Sequence, residues 1–245
     1  MKLLGLAGAL CAGSAMAAPP LADYGKLPAV EQMRLSPSGD QLAFVAVVGE
    51  ARKLVVESVA GEVRRVVDAG AMKVRQIDWR GDDHVLIVTS ATFDLDPAAP
   101  VGKAEIGQTA VLDVATGKLA TVFAGEPLIM HATFGEYGSS RSGDKIYGYF
   151  AGLPLSGSGD MRRDFDRGQA YLDKGYADLF KVDLDTGRAS EKVGGGSALY
   201  GSDWVVGSDG AVVGQAQYEY GTGEWRLYGA DATGAPIERR ADPTG

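Results

Sequence analysis

The chain holds two histidines, His84 and His131, and a single cysteine, Cys11. An imidazole can serve as a general base or a zinc ligand, but neither histidine belongs to a His-Glu-x-x-His run. Both fall in strand-like stretches, "DDHVLIV" and "PLIMHATFGEYG", where an imidazole is expected to hydrogen-bond structurally to backbone. A hydrolase nucleophile on a strand-to-helix elbow needs Gly-x-Ser-x-Gly, because glycines alone permit that turn. Ser197, in "GGGSALYG", comes nearest and fails at Leu199, so this stretch is read as a flexible connection. The acidic pairs Asp94 with Asp96 and Asp183 with Asp185 suggest calcium, yet neither continues into an EF-hand loop. The second belongs to "DLDTG", where aspartate bonds its own backbone in a turn. No Walker loop or dinucleotide fingerprint leads from a strand into a helix. The chain is therefore expected to carry no catalytic, cofactor-binding or metal-binding residues of its own. Trp204, Tyr218, Tyr220, Trp225 and Tyr228 cluster late in the sequence and could line a pore or contact surface. In a β-rich chain their ordinary use is packing between sheets.

What could position such residues is a repeated turn. In "RLSPSGDQLAFVA", Pro37 presets φ at the second turn position and Gly39 can take the left-handed conformation that closes it. The same punctuation precedes apolar runs in "RGDDHVLIV", "RSGDKIYGYF" and "GSDGAVVGQA". A second marker follows each: "LVVESVAGEV", "AVLDVATGKL", "LFKVDLDTGRA" and "RLYGADATGAP", with turn glycines at Gly61, Gly117, Gly187 and Gly234. Each unit reads as strand, turn, strand, loop, strand, turn, strand.

Four antiparallel strands per unit of about 40 to 50 residues before insertions is the signature of a β-propeller blade. A blade has two faces to bury, so its middle strands read as nearly continuous apolar runs, "LAFVAVV" and "HVLIVTS". An antiparallel sandwich has similar short strands, but the two-marker repeat favours an all-β propeller of four-stranded blades. About four blades are visible, an incomplete propeller over residues 18–245. Two long loop insertions are expected, at 91–108 and 151–178, the latter with a short helix between Asp160 and Lys174. The last stretch, "GAPIERRADPTG", begins a strand and stops without a closing strand or polar cap.

Residues 1–17, "MKLLGLAGALCAGSAMA", have a basic start, an apolar run and small residues before the Ala17–Ala18 bond. That is a secretory signal peptide cleaved between Ala17 and Ala18, which places the product in the periplasm or outside the cell. The apolar run is too short to span a bilayer, so no stable membrane span is expected once it is removed. Leu10 stands where a lipoprotein signal carries a small residue, which argues against a lipid anchor on Cys11. Without Cys11 the mature chain has no thiol for a disulfide, metal site or nucleophile. The formal charge is −8 and the sequence pI about 4.8. An acidic surface repels phosphate backbones, so nucleic acid is a poor partner.

The run "LPAVEQMRLSPSGDQLAFVA" after a signal peptide, with "KVRQIDWRGDDHVLIVTS" and "LFKVDLDTGRA", resembles the propeller of exported prolyl oligopeptidase family serine peptidases, including acylaminoacyl-peptidase-like relatives. The resemblance covers essentially the whole mature chain. It implies a propeller of seven or eight blades that gates short peptide substrates into a C-terminal α/β-hydrolase domain bearing the catalytic Ser, Asp and His. Only about four blades and no hydrolase are visible here, so the chain reads as an N-terminal fragment without catalytic residues. The dipeptidyl-peptidase branch holds a substrate's amine with adjacent glutamates; Glu219 and Glu224 stand apart in sequence, so that branch is not implied. The alternative is a stand-alone periplasmic propeller that binds a protein or glycan.

Overall fold

The computed structural model describes residues 28–49, 51–70, 73–94, 103–156, 171–172, 175–230 and 234–241. Residues 1–17, expected to be a signal peptide, and the Ala17–Ala18 bond lie outside them. Every regular element among the described residues is a strand. Blade one is β1 (Val30–Leu35), β2 (Gln41–Val48), β3 (Ala51–Ser58) and β4 (Val63–Gly70). Blade two is β5 (Lys73–Arg80), β6 (His84–Asp94), β7 (Lys103–Asp113) and β8 (Leu119–Thr121). Blade three is β9 (Glu136–Ser142), β10 (Lys145–Gly152), β13 (Asp178–Asp183) and β14 (Arg188–Gly194), interrupted by a small hairpin of β11 (Leu155–Ser156) and β12 (Tyr171–Leu172). Blade four is β15 (Tyr200–Val206), β16 (Val212–Glu219), β17 (Glu224–Gly229) and β18 (Glu238–Ala241). Each blade is a four-stranded antiparallel meander, as the two-marker repeat predicts.

The turn chemistry is the expected one. Gly39 has φ +81°, and its N–H donates to the Ser36 carbonyl at 2.9 Å. The blades stack because alternate residues of one strand serve opposite seams. On β6, Val85 and Ile87 join Val45, Val56 and Trp79 in the core between blades one and two. Leu86 points the other way, into a second core with Val111, Phe123, Phe150 and Val182. On β10, Phe150 belongs to that second core, while Tyr149 and Ala151 meet Leu179 and Trp204 in the third. Covering both faces explains the unbroken apolar run of β6. Among the described residues no comparable core joins blade four back to blade one, and the propeller is open.

Three local expectations change. Both ends of the 91–108 segment are strand and not loop, because β6 and β7 stay paired out to Asp94 opposite Lys103; residues 95–102 lie outside the described set. In the 151–178 insertion, Tyr171 and Leu172 pair as a strand with Ser156 and Leu155, so the helix placed between Asp160 and Lys174 does not run through them. The rest of that helix lies outside the described residues. The stretch ending the sequence supplies β18, paired with β17 from Leu227↔Glu238 to Glu224↔Ala241, so blade four has its fourth strand.

Candidate functional site

The meander sorts its connections onto two rims. Turns between first and second strands and between third and fourth strands share one rim, which therefore carries both sequence markers. Connections between second and third strands share the other, which carries the excursions after β6 and β10.

At the marker rim, turn residues link neighbouring blades. Asp82 accepts from the Ser38 N–H at 2.9 Å, and this bond, against a smaller effect of burial, holds its carboxyl below the usual range. Arg141 donates to Asp83 at 3.2 Å. His84, 6% exposed at the start of β6, places Nε2 2.9 Å from Asp185 Oδ1 across the seam between blades two and three. The imidazole thus links two blades, through a carboxylate and not the expected backbone. His131 is exposed and lies in a bend, not a strand; its carbonyl accepts from Gln108 Nε2 at 3.2 Å. The structure does not bring the two histidines together.

The acidic pair of "DLDTG" acts as a turn device. Asp183 Oδ1 accepts the Asp185 N–H at 3.0 Å, and its other oxygen binds Lys145. Burial alone would raise the Asp183 carboxyl, but the Lys145 bond and charge, with the backbone donors, hold it below the ordinary range. Asp94 ends β6, and Asp96 lies outside the described residues. Among the described residues no group of three or more His, Cys, Asp or Glu side chains is placed to hold a metal ion. Ser197 accepts the Leu199 N–H at 3.2 Å in the link between blades three and four.

The excursion rim has a cleft of about 500 Å³ at the seam of blades three and four, a volume typical of small-molecule sites. The carriers are the β16–β17 hairpin end, the first residues of β15, the link around Ser197, and Phe134 to Tyr137 with Gly175 to Ala177 from blade three. Gly196 is required where the link passes blade three, because a Cβ there would lie 2.0 Å from the Ala177 carbonyl oxygen. Tyr218 sits opposite Trp225 in the β16–β17 register, with ring centroids 5.0 Å apart, and Tyr220 meets Tyr218 edge-on at 5.8 Å. Tyr137 donates to Asp203 Oδ1 at 2.8 Å; burial first, then this carboxylate, raises the phenol far above its usual value and keeps it a neutral donor.

Of the late aromatic residues, Trp204 behaves as expected. It is 6% exposed and packs edge-on against Tyr137 at 5.1 Å in the third core. Tyr220 and Trp225 do not, being 68% and 43% exposed at the cleft. Glu219 and Glu224, apart in sequence, are direct partners across the hairpin, and Arg226 clamps both, at 2.5 Å and 2.6 Å. The Glu224 bond is the main reason the guanidinium is raised further above its usual value. The Tyr200 ring lies 5.6 Å from the same guanidinium carbon. The spacing "YEYGTGEW" contains this arrangement once the hairpin register is known.

No family model matches the chain, and no curated protein matches it. Among solved structures, it is similar to an oligogalacturonate lyase in complex with manganese, at 17% identity and TM-score 0.44, covering 85% of this chain and 51% of that one. It is also similar to the β-propeller domain of the trilobed protease from Pyrococcus furiosus, at 13% identity and TM-score 0.40, over 86% and 54% of the two chains. An acylaminoacyl peptidase in complex with a chloromethyl ketone matches at 12% identity and TM-score 0.36, over 88% of this chain and 38% of that one. The chain spans about half the length, or less, of these solved chains. The fold itself rests on the strand order and seams described above.

Proposed function

We propose that the chain is the propeller portion of an exported serine peptidase of the prolyl oligopeptidase type, non-catalytic by itself, which restricts entry of peptides to an α/β-hydrolase domain of the same protein. The observation that carries this reading is the outer face of blade one. Met33, Phe44, Val55 and Val66 sit opposite one another in register across all four strands, on the face turned away from blade two. Met33 and Val66 are 49% and 55% exposed, and Leu35 beside them is 56% exposed. Contiguous exposed apolar surface of this kind marks an interaction face. Its valines, leucine and phenylalanine are of the types that fill the first two seams, so a further blade is the partner that fits. A propeller that continues past these four blades suits the larger peptidase, whose hydrolase would supply the nucleophilic serine, its histidine base and the oxyanion hole.

The test is to sequence the reading frame past codon 245, express the complete product, and assay it on chromogenic peptides of graded length. The expected result is hydrolysis that a serine-directed organophosphate abolishes and that falls as peptides lengthen, with none by the 245-residue chain. A stop codon after Gly245, or hydrolysis indifferent to peptide length, would overturn it.

A second reading, a propeller that binds a ligand without catalysis, is favoured by the aromatic cleft between blades three and four.

A further inference from the structure

The cleft between blades three and four has a composition of its own. Its described walls hold seven aromatic side chains and one charged one, Asp203. We propose that this cleft binds a small organic cation, an ammonium group whose attached carbons rest against the rings of Tyr218, Tyr220 and Trp225 while its charge faces Asp203.

The faces of aromatic rings are electronegative, and a cation within about 6 Å of a ring centroid is attracted to them. At the cleft, Tyr218 is tilted 45° to Trp225 and stands at 83° to Tyr220, so the three rings offer faces in different directions. The Tyr200 ring already carries the Arg226 guanidinium, so rings at this site do accept a cation. Arg226 itself is committed to Glu219 and Glu224 and leaves the net field of the cleft to Asp203. The Tyr137 hydroxyl anchors one oxygen of Asp203, and the phenol stays neutral because burial and the carboxylate oppose its ionisation. A carboxylate accepts at about four lone-pair positions, so one donated bond leaves capacity for a ligand N–H or a close ionic contact. No lysine or arginine lines the described cleft to favour an anion, and the overall charge of −8 draws cations. The inference concerns the four blades alone and holds whether or not a hydrolase domain follows.

The test is titration of the 245-residue chain with choline, read by calorimetry and by tryptophan fluorescence. The control ligand is 3,3-dimethylbutan-1-ol, which has choline's shape without its charge. Saturable choline binding is expected, at least about tenfold tighter than the alcohol, the margin a desolvated cation–aromatic contact gives. Asp203→Asn and Tyr220→Ala should each weaken it by about tenfold, with circular dichroism unchanged. Tyr220, at 68% exposure, can be truncated without opening a core. Three outcomes would overturn the proposal: no saturation by about 10 mM choline, equal binding of the alcohol, or affinity unmoved by both substitutions. Binding of a neutral saccharide as tightly as choline would also overturn it. None of these readouts depends on peptidase activity, so failure here leaves the reading of the larger protein untouched, and the reverse.

Discussion

Replacing three turn glycines one at a time separates the cost of backbone conformation from the cost of crowding a seam. Gly61, Gly117 and Gly187 occupy the same place in the second marker of blades one, two and three, with φ of +87°, +77° and +71°. Alanine at such φ costs about 1–2 kcal/mol, and its smaller unfolded-state entropy returns about 0.4–1 kcal/mol. Surroundings then divide them. A Cβ at Gly61 meets nothing within 4 Å, and at Gly117 it meets the Arg65 side chain at 3.3 Å. At Gly187 it would lie 2.2 Å from the carbonyl oxygen of Thr121, in β8 of the neighbouring blade. Backbone cannot swing aside as an arginine can, and the adjacent Gly187 carbonyl accepts the Phe123 N–H at 2.8 Å, pinning the two blades there. Overpacking adds about 1–3 kcal/mol. Urea unfolding followed by tryptophan fluorescence should therefore show Gly61→Ala and Gly117→Ala losing about 1 kcal/mol each, and Gly187→Ala roughly 2–4 kcal/mol. Equal losses at all three positions, within about 0.5 kcal/mol, would refute the claim that this turn locks blade three onto blade two.

Arg226→Ala should cost about 1–2 kcal/mol at neutral pH, since it leaves two partly buried glutamates facing each other across a hairpin. Adding Glu219→Gln and Glu224→Gln should restore part of the loss in the same urea titration; no recovery would show that the arginine acts by packing instead. Acid should weaken the fold through Asp82, Asp183 and Glu31, the last held below its usual range chiefly by its Arg52 hydrogen bond. Their folded values lie below the unfolded ones, so the unfolded chain binds more protons in between. The stability they give is present above the ordinary carboxylate range near pH 4 and is lost as pH falls through the folded values. Asp183→Asn should flatten the dependence of the urea midpoint on pH below about 4; an unchanged slope would remove this carboxylate from the account.

The blades were legible because their signals are local. A turn such as "SPSGD" needs Gly39 at positive φ, and a strand covered on both faces needs a continuous apolar run; both are visible within ten residues. Extension of β6 and β7 beyond Ala91 was not, since "ATFD" and "KAEIGQ" are held extended by pairing with each other and not by apolar content. Whether the late aromatic residues pack in a seam or line a surface is not legible for a related reason. Aromatic residues at positions 218, 220 and 225 carry no mark distinguishing a ring packed in a seam from one at its mouth. That difference depends on what blade three places opposite them. The same holds for Glu219 and Glu224: four residues lie between them in the chain, yet the hairpin makes them nearest neighbours.

The location of the cleft follows from how the third seam is filled. The first two seams close on branched aliphatic residues and phenylalanines that reach across from both blades, such as Val56 against Val85 and Ile87, and Leu86 against Phe150 and Val182. The third has a shorter buried core, in which Tyr149 and Trp204 supply most of the bulk. At the rim end of this seam Gly175, where a Cβ would meet nothing within 4 Å, gives no side chain to fill the space between the blades, while Gly196 and Gly201 allow Ala177 and Tyr220 to approach the link and β15 closely. Large planar residues at the border cannot fold inward to occupy the gap, and Tyr137 is held in position by Asp203 on one side and Trp204 on the other. Interior packing elsewhere in proteins leaves few voids of this size. A seam bordered by aromatic rings, with Gly175 leaving space beside them and with one anchored carboxylate, is thus open at the rim where the chain also places its longest excursions.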